Sequence, residues 1–152
     1  MLVSAALLAG LCCVSSVQAQ ARFSYSTDGA EVTDSKTGLI WQRCSAGQTW
    51  MAGTITTCGG TAAGFTHDAA LSYAKSQTGW RLPNVKELSS ITDKTRIYPA
   101  IDVTAFPATQ SSWFWTSTPY AANPSYAWFV DFYGGYVDYD GRGSAGHVRL
   151  VR

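Results

Sequence analysis

Apolar positions are spaced differently in successive stretches of this chain, and each spacing predicts a different element. Leu2 to Val14 is an uninterrupted apolar run without charge. Val17 and Ala19 then supply the small residues that precede a cleavage site, so residues 1–19 read as a secretory signal peptide cut after Ala19. The run is short for a membrane span. Phe23 to Trp41 reads as two short strands around the turn Asp34-Ser35-Lys36-Thr37-Gly38. Residues 42–64 are polar and Gly-rich and read as a loop. A helix is expected from Thr66, which suits an N-cap, with Asp68 in the first turn and Ala69, Ala70, Tyr73 and Ala74 as its apolar stripe. Gly79 sits just past its end.

A second helix follows. Asn84 and Glu87 have the spacing of a capping box, Pro83 precedes them, and Val85, Leu88 and Ile91 share one helical face. Arg81 lies between the helices and is expected to satisfy orphan carbonyls and tie both helices to a sheet. Past residue 95 the pattern turns to β. Trp113 to Ser117 is a strand, Pro119 to Pro124 a loop, and Tyr126 to Tyr133 alternates up to Gly134-Gly135. Tyr136 to Asp140 returns, and His147 to Arg152 alternates again.

Composition narrows the classes. The 152 residues carry 14% charged side chains and a formal net charge of +1, which gives no case for a nucleic-acid partner. Six Trp, eight Tyr and six Phe suit a rigid domain with aromatic contact surface. Cys12 and Cys13 raise lipidation, which the bulky Leu11 before them disfavours. Removal of the leader leaves Cys44 and Cys58, an even count that favours a disulfide in an exported chain. A zinc site is the alternative, without nearby His partners.

Catalytic signals are sparse. There are two histidines, His67 in the first turn of a helix, where a surface position is expected, and His147. No phosphate loop, Gly-x-Ser-x-Gly or His-Glu-x-x-His occurs. Asp138-Tyr139-Asp140-Gly141 resembles half a calcium loop but lacks the third acid and the distal Glu, so neither metal nor cofactor is expected.

The hairpin is the informative region. A two-residue Gly134-Gly135 turn would set Tyr133 opposite Tyr136, Asp131 opposite Asp138 and Phe129 opposite Asp140, all six on one face. Phe132, Val137, Val130 and Tyr139 would form the core face. Opposed like charges and exposed aromatics suit a contact surface better than mere solvation.

Several motifs occur in order: Thr37-Gly38-Leu39-Ile40-Trp41, Gly79-Trp80-Arg81-Leu82-Pro83-Asn84 with Lys86-Glu87-Leu88, Phe114 to Pro119, Ala127-Trp128, and Val148-Arg149-Leu150-Val151-Arg152. Together they resemble the bacterial DUF1566, or Lcl C-terminal domain, family over residues 20–152. The resemblance implies an α+β, C-type-lectin-like fold with two helices and a twisted, mainly antiparallel sheet. It makes Trp80, Arg81, Pro83, Asn84 and Glu87 a scaffold signature. Many relatives end Val-Arg-Cys-Val-Arg, where this chain has Leu150. The best-understood member is an adhesin for sulfated polysaccharides. That ligand is not carried over, because the lysines stop at Lys94 and no basic cluster follows.

The run from Tyr126 to the final Val-Arg-Leu-Val-Arg also resembles the variable region of diversity-generating retroelement targets. There, adenine-directed mutagenesis of Asn codons never yields Lys, Glu, Gln, Met or Trp. None of these five occurs from Phe129 to His147. The expected function is therefore a secreted or surface-displayed, non-catalytic, adhesin-like module that binds a protein or glycan. Its contacts would be Phe129, Asp131, Tyr133, Tyr136, Asp138, Tyr139, Asp140 and Arg142. The alternatives are an enzyme of the formylglycine-generating type and a structural envelope domain.

Overall fold

A computed structural model describes residues 21–54 and 56–152. The expected signal peptide and Cys12 and Cys13 lie outside the described residues. The architecture is α+β. Strands β1 (Phe23–Tyr25), β2 (Glu31–Asp34) and β3 (Ile40–Gln42) form one antiparallel sheet, and β4 (Thr49–Met51) pairs with β5 (Thr57–Gly59). Helices α1 (His67–Ser76) and α2 (Val85–Ser90) follow, then the sheet β6 (Trp113–Pro119), β7 (Tyr126–Asp131) and β8 (Tyr136–Gly141), in that order. The single sheet expected is thus three small ones. Two features were hidden in the sequence. Asp28 accepts from the Ser26 hydroxyl and the Ala30 N–H, making a turn that splits the first segment into β1 and β2. The Gly-rich loop contains the β4–β5 hairpin, held by the Cys44–Cys58 disulfide.

Helix boundaries follow local chemistry. Thr66 caps α1 by accepting from the Ala69 N–H, Gln77 ends the helix, and Gly79 follows at φ +78°. At α2 the capping box is complete: Asn84 accepts from the Glu87 N–H at 2.9 Å, and Glu87 accepts from the Asn84 N–H at 2.8 Å. Such a cap contributes about 1 kcal/mol. Arg81 departs from expectation. Its guanidinium takes no carbonyl; it forms a half-exposed, two-pronged pair with Glu87 at 2.7 Å on both arms. The tie to the rest of the fold comes from its backbone, which exchanges two hydrogen bonds of 3.0 Å with Val151.

The C-terminal segment joins the sheets. Ile40 and Arg152 exchange backbone bonds, Gln42 donates to Leu150, Ala46 to Val148, and Trp115 to His147. Val148, Arg149, Leu150 and Val151 are all fully buried, so the alternation in this segment does not mark a solvent face. Arg149 is the exceptional member. It donates to the Gln42 and Arg43 carbonyls and to the Ser45 and Thr109 hydroxyls. Its guanidinium also lies 4.9 Å from the Phe106 ring centre.

Two apolar clusters flank the β6–β7–β8 sheet. Phe114 and Val130 pack with Leu88 and Ile91 from the α2 region, and also with Val32, Trp41 and Phe132. On the other side Trp115 and Ala127 pack with Ala70 and Ala74 of α1, and with Val148 and Leu150. β6 and β7 are therefore covered on both faces. β8 is an edge strand and is left exposed.

Candidate functional site: the aromatic face of the terminal hairpin

β7 and β8 form the expected hairpin with a different register. Asp131 pairs with Tyr136, Phe129 with Asp138, Ala127 with Asp140, and Trp128 with Tyr139. The connection is a four-residue turn over residues 132–135, and Gly134-Gly135 alone does not make it. Phe132 is the physical cause. It is buried edge-on against Phe114 at 5.1 Å, its N–H donates to Ser112, and its carbonyl accepts from Ala100. With both backbone groups committed elsewhere, Phe132 cannot pair with Val137. Asp131 closes the turn: its carboxylate accepts from the Tyr133 N–H at 2.7 Å and its carbonyl from the Gly135 N–H at 2.8 Å. Gly135 is needed at φ +74°, where an added Cβ would also lie 3.2 Å from the Ala100 Cβ.

A slip of two residues preserves which side chains share a face but changes their neighbours. Asp131 and Asp138 are no longer opposed, so the expected like-charge repulsion is relieved. Val137 and Tyr139, expected in the core, are 41% exposed each. The expected contact residues therefore divide. Tyr133 and Tyr136 are each 48% exposed, and Asp138 is exposed. Asp131 is buried at 8% exposure, and Phe129 is half-buried against Trp113 at 5.0 Å. Arg142 is partly buried, with its guanidinium on Asp68 of α1 and its carbonyl accepting from the His67 N–H. Asp138 accepts from the Tyr139 N–H and Asp140 from the Gly141 N–H. These carboxylates hold two main-chain donors of the edge strand, which disfavours addition of a further strand.

The new register builds a cluster that sequence reasoning missed. Tyr139 stacks on Tyr120 with ring centres 4.0 Å apart and planes at 10°. Trp128 stands edge-on to Tyr139 at 5.5 Å and to Tyr120 at 5.4 Å, and Tyr126 meets Tyr139 at 5.9 Å. Three segments contribute: β7, β8 and the loop after β6. The signal was present in the density of aromatics between 120 and 139, but only the pairing of Trp128 with Tyr139 reveals that they meet. A second station lies at the other end of the hairpin, where Tyr98 meets Tyr133 edge-on at 4.2 Å. Tyr136 stands nearby, and a hydrogen bond to Asp131 pushes its phenol pKa up. Hydrogen bonding to Tyr120 does the same for Tyr139. At neutral pH both phenols remain neutral and able to donate.

The histidines take structural places. His67, expected at the surface, is buried at 2% exposure; its Nε2–H donates to the Thr116 carbonyl at 2.9 Å and its ring meets Trp115 edge-on. Burial pushes its pKa down, the Thr116 carbonyl opposes this, and Arg142 adds to the lowering. Folding therefore holds His67 neutral, whereas the unfolded chain binds the proton near pH 6.5. The stability this provides is complete above that pH and is lost as pH falls below it. Urea midpoints measured from pH 7.5 to 5 should drop for the native chain and drop less for His67→Gln; parallel profiles would contradict a buried neutral imidazole.

The family model of the Lcl C-terminal domain matches residues 30–152. The chain belongs to that family. No curated protein and no solved structure matches it. In this Lcl C-terminal domain the shared motifs are scaffold: Gly38 turns into β3 at φ +74°, Trp41 is fully buried, and the residues from Gly79 to Asn84 end one helix and start the next. The aromatic cluster lies on the surface this scaffold carries.

Proposed function

We propose that this Lcl C-terminal domain is an exported, non-catalytic binding module. It contacts a protein or glycan through the β7–β8 hairpin and the loop after β6. The carrying observation is the aromatic cluster in which exposed Tyr139 is held by the half-buried rings of Tyr120, Tyr126 and Trp128. Exposed Tyr136 on the other face of the hairpin and the Tyr98–Tyr133 pair at its turn add further aromatic surface. Aromatic rings held by one another lose little entropy when a ligand covers them, and Tyr and Trp are the commonest anchors of binding surfaces. The bonding of Cys44 to Cys58 supports this reading over thiol chemistry of the formylglycine-generating type. A glycan and surface-protein binding screen tests it. Tyr139→Ala should weaken capture of the selected ligand at least tenfold, as loss of an interface anchor does, with the fold retained by circular dichroism. Undiminished capture by the variant would place the contact elsewhere.

The segment from Phe129 to His147 fits a diversified surface at most of its exposed positions. An added Cβ at Gly141 or Gly143 meets nothing within 4 Å. At Gly146 it would lie 2.6 Å from the Trp113 ring, so a side chain there would have to displace that ring. A diversified gene should lie beside a reverse transcriptase and an Asn-rich template copy of this segment, with glycine preserved at 146 among variants. A neighbourhood without them removes the diversification, not the binding module.

A further inference from the structure

A cleft of about 340 Å³ opens between the first sheet, the disulfide hairpin and the end of α1. It shares no residue with the hairpin face. Trp50 and Trp80 line it, each with a guanidinium stacked on its ring: Arg43 lies 4.1 Å from the Trp50 centre and Arg152 lies 4.7 Å from that of Trp80. Arg43 is itself fastened to the carbonyls of Gly29, Thr104 and Ala105. Trp50 is further fixed by its indole N–H, which donates to the Asp28 carbonyl at 2.9 Å. Both indoles are thus held before any ligand arrives.

The polar part of the lining leaves several groups open to a ligand. Among the described residues, the Gln42 amide, the Tyr73 hydroxyl, the Trp80 indole N–H and the Gln77 amide oxygen have no hydrogen-bond partner in the protein. The Gln48 amide, in contrast, is used on both sides, by the Ser45 N–H and the Ala108 carbonyl. Tyr73 is half-buried, and burial alone pushes its phenol up, so it stays a neutral donor. Of the charged groups here, Glu31 and Arg152 pair at 2.6 Å, while the Arg43 guanidinium is spent on three backbone carbonyls and the Trp50 ring. The cleft therefore offers fixed aromatic rings and neutral donors and acceptors, and its charged side chains are already engaged by other groups of the protein.

We propose that this cleft binds a neutral pyranose unit of an oligosaccharide. The C–H groups of a sugar ring carry slight positive charge and suit the electron-rich face of an indole. Its hydroxyls both donate and accept, matching amides, a phenol and an indole N–H. An aliphatic ligand would leave these polar groups unpaired, and an ionic one would find Arg152 already paired with Glu31 and Arg43 already fastened to three carbonyls. The volume lies at the small end of ligand sites, which suits one or two sugar rings.

The test is a heteronuclear NMR titration of the intact mature domain with cellotetraose, chitotetraose, maltotetraose and xylotetraose, with a heparin tetrasaccharide as the charged arm. At least one neutral tetrasaccharide should shift the Trp80 indole and the Gln42 and Gln77 side-chain amide signals saturably. Gln42→Ala and Gln77→Ala, at half-buried positions outside both apolar clusters, should each weaken that binding about tenfold, the loss of one ligand hydrogen bond. Tyr139→Ala should leave it unchanged, which separates this site from the hairpin face. Absence of a saturable shift with every neutral sugar, shifts confined to the hairpin, or preference for the heparin fragment would each overturn the proposal.

Discussion

Replacing Arg149 by Met should cost the domain about 3 kcal/mol of unfolding free energy, read from urea or thermal midpoints. The side chain is fully buried, and no carboxylate pairs with it among the described residues. Burial pushes its pKa down to about 9, so the group is still charged at neutral pH. The charge is sustained by neutral oxygens, the carbonyls of Gln42 and Arg43 and the hydroxyls of Ser45 and Thr109, with the rings of Phe106 and Phe114 nearby. Met fills similar space but leaves the two carbonyls buried without this donor, and carbonyls cannot be mutated away. Two such groups, at roughly 1–3 kcal/mol each and offset by relief from burying a cation, give the stated loss. Arg149→Lys should recover only part of it, because an ammonium cannot reproduce the planar fork. An unchanged midpoint in the Met variant would mean that desolvation of the guanidinium cancels its hydrogen bonds.

Removal of the disulfide should cost nearly as much. Cys44 and Cys58 are 14 positions apart, and closing a loop of that length in the unfolded chain is worth roughly 3 kcal/mol. The segment it closes has little else to hold it: β4 and β5 contribute three residues each, and Thr49, Met51 and much of the connection are exposed. Cys44→Ala/Cys58→Ala should therefore lower the urea midpoint and increase amide exchange first within residues 44–64. Trp50 belongs to this hairpin, so the same variant should lose the sugar cleft while leaving the β7–β8 aromatic face in place. Uniform exchange across the whole domain would instead show that the bridge supports the global fold and not the local hairpin.

Helix starts were legible from sequence because their chemistry is local, whereas α2 stops at Ser90, short of the end expected near Asp93. Thr66 reaches three residues ahead, and the Asn84–Glu87 box closes within one turn. The existence of the terminal hairpin was legible for a related reason, since alternation on both sides of a glycine pair implies two strands. Its register was not. The turn length depends on Phe132, whose backbone is claimed by Ser112 and Ala100, and nothing adjacent to Gly134-Gly135 announces this. The consequence reached the site itself, because the slip brought Tyr139 to Trp128 and Tyr120 and withdrew Asp131 into the turn.

The sequence by itself determined the α+β class, where both helices start, the preference of Cys44 and Cys58 for a disulfide, the family and the segment that carries the aromatic surface. Each rests on residue type and short-range spacing. Only the tertiary structure decided what the buried polar groups do and which aromatics meet. Arg149 finds a carbonyl 107 positions away, and His67 a carbonyl 49 positions away. Arg81 exchanged its expected carbonyls for the nearer carboxylate of Glu87, because a charged acceptor at two-pronged reach outcompetes neutral ones. Partners so distant in sequence are chosen by how layers pack, and no periodicity along the chain records that choice.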